Sequence, residues 1–248
     1  MTLTLDIATP RVSAQGARER LIVALDVPNG AGALAMAQRL EGLVQWFKVG
    51  LELYLAEGNG IVEKLRERGH SVFLDLKLHD IPNTVAAAVR SAARSGAEML
   101  TIHAAGGPAM LAAAQNAAAS IPSAPKLLGV TVLTSMDAGQ LAATGVSASP
   151  GEQVLRLARI ADEAGIRGLV ASSQEVARLR AVYPDSTLVI PGIRPADANA
   201  GDQKRVATPA SAIADGADYL VVGRPITQAA DPAAAAEGIL DEMAAVRQ

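Results

Sequence analysis

The stretch SVFLDLKLHDIPNT, residues 71–84, carries the reading of the fold. It begins like a buried strand, yet it includes Asp75 and Lys77, with Asp80 just beyond. Side chains alternate faces along a strand. Val72, Leu74, Leu76 and Leu78 therefore share one face, and Phe73, Asp75 and Lys77 share the other. A barrel strand accommodates this pattern. Its outward residues lie under helices, and inward residues near its C-terminal end reach the mouth, where such barrels keep their active sites.

Seven further short apolar runs surround it: LIVAL (21–25), WFKV (46–49), EMLTIH (98–103), LLGVTVL (127–133), RGLVAS (167–172), TLVI (187–190) and DYLVV (218–222). Between them lie Ala-rich stretches with helical spacing, such as VAAAVRSAARSG (85–96) and EQVLRLARIADEAG (152–165). Gly42, Gly69, Gly96, Gly165 and Gly216 stand where helices should end before the next strand. Strict alternation predicts parallel strands with helical crossovers. Eight strands and roughly eight helices predict a single-domain (β/α)8 TIM barrel over residues 21–248, after a loosely ordered lead-in over residues 1–20. A doubly wound sheet is the alternative, but no GxGxxG follows the first run.

Composition narrows the function classes. Half the residues are hydrophobic, so a large core is available, while aromatics at 2% offer no platform for stacking bases. The net charge of −3 comes without a basic block, which argues against a nucleic-acid partner. Disulfides and thiolate metal sites are excluded, because the chain has no Cys. No apolar run reaches membrane-spanning length and no leader pattern opens the chain, so a soluble cytoplasmic protein is expected.

Lys48 in WFKV repeats the charged pattern on the second strand. An inward charge must be paired or it costs several kcal/mol. Lys48, Asp75, Lys77 and Asp80 carry two charges of each sign, so a closed alternating network is possible; a structural ion-pair cluster is the alternative. Asp26, closing the first strand, is a candidate ligand contact. A second constellation ends the chain. VIPGIRP (189–195) and VVGRPIT (221–227) each set an Arg just after a Gly. Gly192 and Gly223 allow close approach of an anion, Arg194 and Arg224 can bind it, and Pro225 can open a short helix. Barrels often hold phosphate after strands seven and eight. Residues 194–209, poor in large apolar side chains, read as a lid with Gln203 in its middle; a surface insertion is the alternative.

Three histidines complete the inventory. His103 reads as a hydrogen-bonded structural residue, His79 as a loop-shaping one, and His70 as exposed. Ser172 and Ser173 lack the Gly-x-Ser-x-Gly turn of a hydrolase.

The segment Asp75-Leu-Lys-Leu-His-Asp-Ile-Pro-Asn-Thr84 resembles the signature of the orotidine 5′-monophosphate decarboxylase family. LDV (25–27), FKVG (47–50), TIHAAGG (101–107), VTVLTS (130–135), PGIRP (191–195), GDQKR (201–205) and VVGRPIT (221–227) extend the resemblance in the same order. DxKxxD alone is shared with related barrels such as 3-keto-gulonate phosphate decarboxylase. The resemblance implies decarboxylation of orotidine 5′-monophosphate to UMP, the last step of pyrimidine nucleotide synthesis, with no metal and no organic cofactor. It implies Lys48, Asp75, Lys77 and Asp80 as the catalytic network. Asp26 and Lys48 would hold the ribose, Thr134 the pyrimidine edge, and Arg194, Gln203, Gly223 and Arg224 the phosphate. It implies a homodimer, with Asp80 and Thr84 entering the partner's site. A metal-assisted sugar-phosphate enzyme and a non-catalytic nucleotide binder are the competing classes.

Overall fold

Eight strands close on themselves: β1 (Leu21–Ala24), β2 (Trp46–Gly50), β3 (Ser71–Leu78), β4 (Met99–His103), β5 (Lys126–Val130), β6 (Gly168–Val170), β7 (Thr187–Ile190) and β8 (Tyr219–Val222). Each is parallel to its neighbours in sequence order, and β8 pairs with β1. The computed structural model describes residues 14–195 and 207–246. Helices separate the strands throughout, so the expected TIM barrel is observed.

The core has two layers, and β3 serves both. Ile22, Ala24, Trp46, Phe73, Met99, Leu128, Val189 and Val221 fill the barrel interior. Val72 and Leu74 belong to the larger layer between strands and helices, with Leu76 and Leu78 packed against it. The alternation read from 71–84 therefore sorts its apolar residues as expected. Fully burying one Leu or Val side chain stabilises by roughly 1.5–3 kcal/mol, and most of both layers is wholly buried.

The IPNT sequence starts a helix. Pro82 opens the helix Pro82–Arg94, where its fixed φ suits the first turn and its missing N–H costs nothing. Val85, Ala86, Val89, Ala92 and Ala93 form its buried stripe. At its far end Gly96 has φ +76°, a conformation that a side chain would resist.

The chain departs from expectation at several places. There are twelve α-helices among the described residues, because some crossovers and loops are broken into short pieces. β5 stops at Val130, and residues 132–135 instead line the mouth. Residues 14–20, expected to be loose, form the helix Ala14–Arg20. Only about two turns long, it shows no legible period. It is held by the buried Ala17 and by Arg20, whose Nε donates to Asp218 O at 2.9 Å. His70 is buried rather than exposed, with its ring edge-on to Phe47 at 4.8 Å between centroids. Burial lowers its pKa, with Arg68 adding to the effect and Glu41 opposing it.

Candidate active site

A cavity of about 570 Å³ opens at the C-terminal ends of the strands. Asp26, Lys48, Asp75 and Lys77 line it, as do Thr134, Arg194, Gly223 and Arg224. Its apolar wall includes Phe73, Val130, Val132, Val170 and Val221.

The charges alternate. Lys48 Nζ lies 2.9 Å from Asp26 Oδ1 and 3.6 Å from Asp75 Oδ2. Lys77 Nζ donates to both oxygens of Asp75 at 2.8 Å. Lys48 and Asp75 are buried, and Lys77 is partly exposed to the cavity. Burial opposes ionisation of Asp75, but Lys48 and Lys77 together with hydrogen bonds from Lys77 and Thr101 outweigh it and lower its pKa. A depressed folded-state pKa means that this ion set stabilises the fold above the ordinary carboxylate value of about 3.9. The contribution is lost as pH falls through the folded-state value.

Strict strand geometry does not continue through this pair. Leu74 pairs with Leu100 and Leu78 with Ile102, so Asp75, Leu76 and Lys77 stand against Thr101 alone. The surplus is absorbed at Lys77, which takes φ +49°. A non-Gly residue in that region costs of order 1–3 kcal/mol and is retained where the surroundings over-determine it.

Asp80 is outside this set. It is exposed, does not line the cavity, and its Oδ1 accepts from Ile81 N at 2.6 Å. The closed network of Lys48, Asp75, Lys77 and Asp80 is thus not formed within one chain, because β3 has ended before Asp80 and its carboxylate turns to the backbone of the next residue. Asp26 occupies the fourth place. Thr84 is likewise exposed, on the first turn of Pro82–Arg94.

Gly223 caps the short helix Arg224–Thr227, with Pro225 in its first turn. Burial, and then the charge of Arg224, lower the pKa of Arg194. Gln203 lies outside the described residues, as does most of the proposed lid. The two flanks of that segment are joined, since Ile193 bridges Ala207 and Arg194 N donates to Ala207 O at 3.0 Å. His103 is half-buried with its ring 5.3 Å from that of His79. Burial and then the charges of His79 and Lys77 lower its pKa. Among the described residues no three His, Asp or Glu side chains form a group that could hold a metal ion.

Two residues escaped the reading of the sequence. Thr101 is fully buried, and its Oγ1 donates to Asp75 Oδ1 at 2.9 Å. Gly50 pairs with Asp75, and a Cβ there would stand 2.8 Å from Lys48 Nζ and 3.1 Å from Asp26 Oδ1. Parity was the available signal. Thr101 follows the inward Met99 by two positions, and Gly50 follows Lys48 by two.

The sequence profile of the Orotidine 5′-phosphate decarboxylase / HUMPS family matches residues 19–239. The chain belongs to this family. An orotidine 5′-phosphate decarboxylase of Opitutus terrae is 54% identical over 224 residues, 90% of this chain and 97% of the relative. One from Chromobacterium violaceum is 52% identical over 88% of this chain and 89% of its own length. The crystal structure of orotidine 5′-phosphate decarboxylase from Lactobacillus acidophilus superposes with a TM-score of 0.80 at 39% identity, covering 92% of this chain and all of that one. A structure described as an uncharacterized conserved protein from Geobacillus kaustophilus gives 0.78 at 38% identity, over 90% and 99% of the two chains. Such similarity within the family makes the barrel a decarboxylase of the carboxy-lyase class.

Proposed function

We propose that this chain converts orotidine 5′-monophosphate to UMP and CO₂ in pyrimidine nucleotide synthesis, in the cytoplasm, without a metal or organic cofactor. The observation that carries the reading is the alternating series Asp26, Lys48, Asp75 and Lys77 in a cavity that also holds Arg194 and Arg224. The names of its relatives support the choice of substrate.

Loss of CO₂ leaves an electron pair on a ring carbon that has no ready sink. The Lys77 ammonium stabilises that developing charge and then donates a proton to the carbon. Asp75 holds Lys77 and faces the departing carboxylate, whose charge disappears as CO₂ forms. Lys48, bonded to Asp26 and near Asp75, keeps these groups in place before the substrate arrives, so little reorganisation accompanies the reaction. Asp26 and Lys48 bind the ribose hydroxyls, and Thr134 binds the pyrimidine edge. Arg194, Arg224, Gln203 and the backbone at Gly223 bind phosphate. That remote binding energy helps hold the base against the charged series.

The working unit is a homodimer in which Asp80 and Thr84 complete the partner's site. Leu51, Leu55 and Ile81 support this, as large apolar side chains exposed by 50%, 81% and 66% on the segments after β2 and β3. No helix among the described residues is long and apolar enough to cross a membrane.

The decisive test is CO₂ release from orotidine 5′-monophosphate by purified protein in EDTA. Activity that vanishes with chelation would favour a metal-assisted sugar-phosphate enzyme. Tight UMP binding without CO₂ release would favour a non-catalytic nucleotide binder. Orotidine lacking its phosphate should react far more slowly even at saturation, and an equal rate constant would reduce the phosphate contacts to a binding device.

A further inference from the structure

We propose that Thr101 is a positioning residue for the decarboxylation, joining the Asp75 carboxylate and the Lys77 backbone through one buried hydroxyl so that the Lys77 ammonium meets the substrate at a fixed point. The inference rests on the activity proposed above for its kinetic consequence, though not for its structural one.

Thr101 lies on β4 between Leu100 and Ile102 and is fully buried. Its Oγ1 is 2.8 Å from Lys77 N and 2.9 Å from Asp75 Oδ1. The backbone N–H can only donate, so the hydroxyl accepts there. The ionised carboxylate can only accept, so the hydroxyl gives Asp75 its single proton. Both bonds are therefore fixed in direction, and the hydroxyl cannot rotate without losing one.

The location explains the need. Across the irregularity in β3, Thr101 alone faces Asp75, Leu76 and Lys77. The N–H of Lys77, turned by φ +49°, is met by the hydroxyl of Thr101. The same oxygen orients the carboxylate that receives Lys77 Nζ. Lys77 is consequently held at both ends, main chain and ammonium, by Thr101 and Asp75. A closed ring of hydrogen bonds results: Thr101 hydroxyl to Asp75, Lys77 ammonium to Asp75, Lys77 N–H to Thr101.

Thr101→Val keeps the shape and β-branching but removes the hydroxyl. It leaves the Lys77 N–H and one Asp75 lone pair without this partner. Turnover of orotidine 5′-monophosphate at saturation should fall about 10- to 100-fold, the loss expected when a hydrogen bond to a charged group is removed. KM should change less than about threefold, because the phosphate contacts are untouched. Thr101→Ser, which retains the oxygen, should recover most of the rate. A ¹³C titration of the Asp75 carboxyl, assigned with Asp75→Asn, should move upward in Thr101→Val and return in Thr101→Ser.

Thr101→Val turning over within twofold of the parent would overturn the proposal. So would Thr101→Ser as impaired as Thr101→Val, which would mark a packing role. Should Thr101→Val not fold, Thr101→Ala is judged by the same two criteria. If the parent protein releases no CO₂, the proposed activity fails, and the Asp75 titration still decides the role of Thr101: an unmoved curve in Thr101→Val overturns it.

Discussion

Lys77 concentrates the chemistry in one residue, and its backbone conformation is part of how it does so. A left-handed turn at a non-Gly position is tolerated here because the carboxylate of Asp75 and the hydroxyl of Thr101 both hold the residue. Lys77→Ala should leave a folded barrel but lower turnover by at least about 10⁴-fold, since it removes both the compensating charge and the proton donor. Near-normal CO₂ release would refute the role. Gly50 supplies a subtler test. Its φ of −92° and ψ of −178° suit any residue, so Gly50→Ala adds no backbone strain. The new methyl would meet only the side-chain ends of Lys48 and Asp26. Any loss of stability should come from the disturbed ion pairs rather than from the backbone, while turnover falls about 10- to 100-fold as Lys48 is displaced. A variant as active as the parent would show that the Lys48 position has slack. Asp26, Lys48, Asp75 and Lys77 were all legible in the sequence, because inward charge on an apolar strand has few explanations. Thr101 and Gly50 were not, since an uncharged hydroxyl and a missing methyl announce themselves only once their neighbours are known.

The strands were legible as elements because each carries a short apolar run, and five of the eight follow a helix-ending Gly. Their limits were less so. LLGVTVL reads as continuous, but β5 ends at Val130, and Val132 and Leu133 line the cavity. Asp80 stands outside its own chain's cavity for a related reason. Sequence proximity to Lys77 does not survive the end of β3, where the chain turns into the helix that Pro82 begins. His70 belongs to this scale as well, since it stands where the helix Asn59–Glu67 gives way to β3. It packs on Phe47 and faces Glu41 and Arg68. Its folded-state pKa is lowered, so below about pH 6.5 the unfolded chain takes up the proton first and stability falls as pH drops. His70→Gln should flatten that dependence. Urea midpoints at pH 7 and pH 5.5 measure it, and an unchanged difference between the two would remove His70 as its source.

The whole molecule adds what no single element can. Strand order alone sets the acid–base series and the two arginines around one opening, although they come from opposite ends of the chain. The proposed dimer extends this across two copies. Mixing subunits of Lys77→Ala with subunits of Asp80→Asn should recover about a quarter of the parent activity, because half the sites in each mixed dimer inherit neither lesion. Two inactive proteins that stay inactive after unfolding and joint refolding would place Asp80 outside the partner's site. The contact made by Arg20 bears on the ring as a whole. A cylinder of strands endures only while its first and last staves meet, and that joint is the one no local turn can make. Here the carbonyls of Ala217 and Asp218, at the threshold of the final stave, receive the guanidinium that immediately precedes the first. The helix Ala14–Arg20 is therefore a clasp across that seam, and trimming the chain back to residue 21 would leave the pairing of the first and last strands without it.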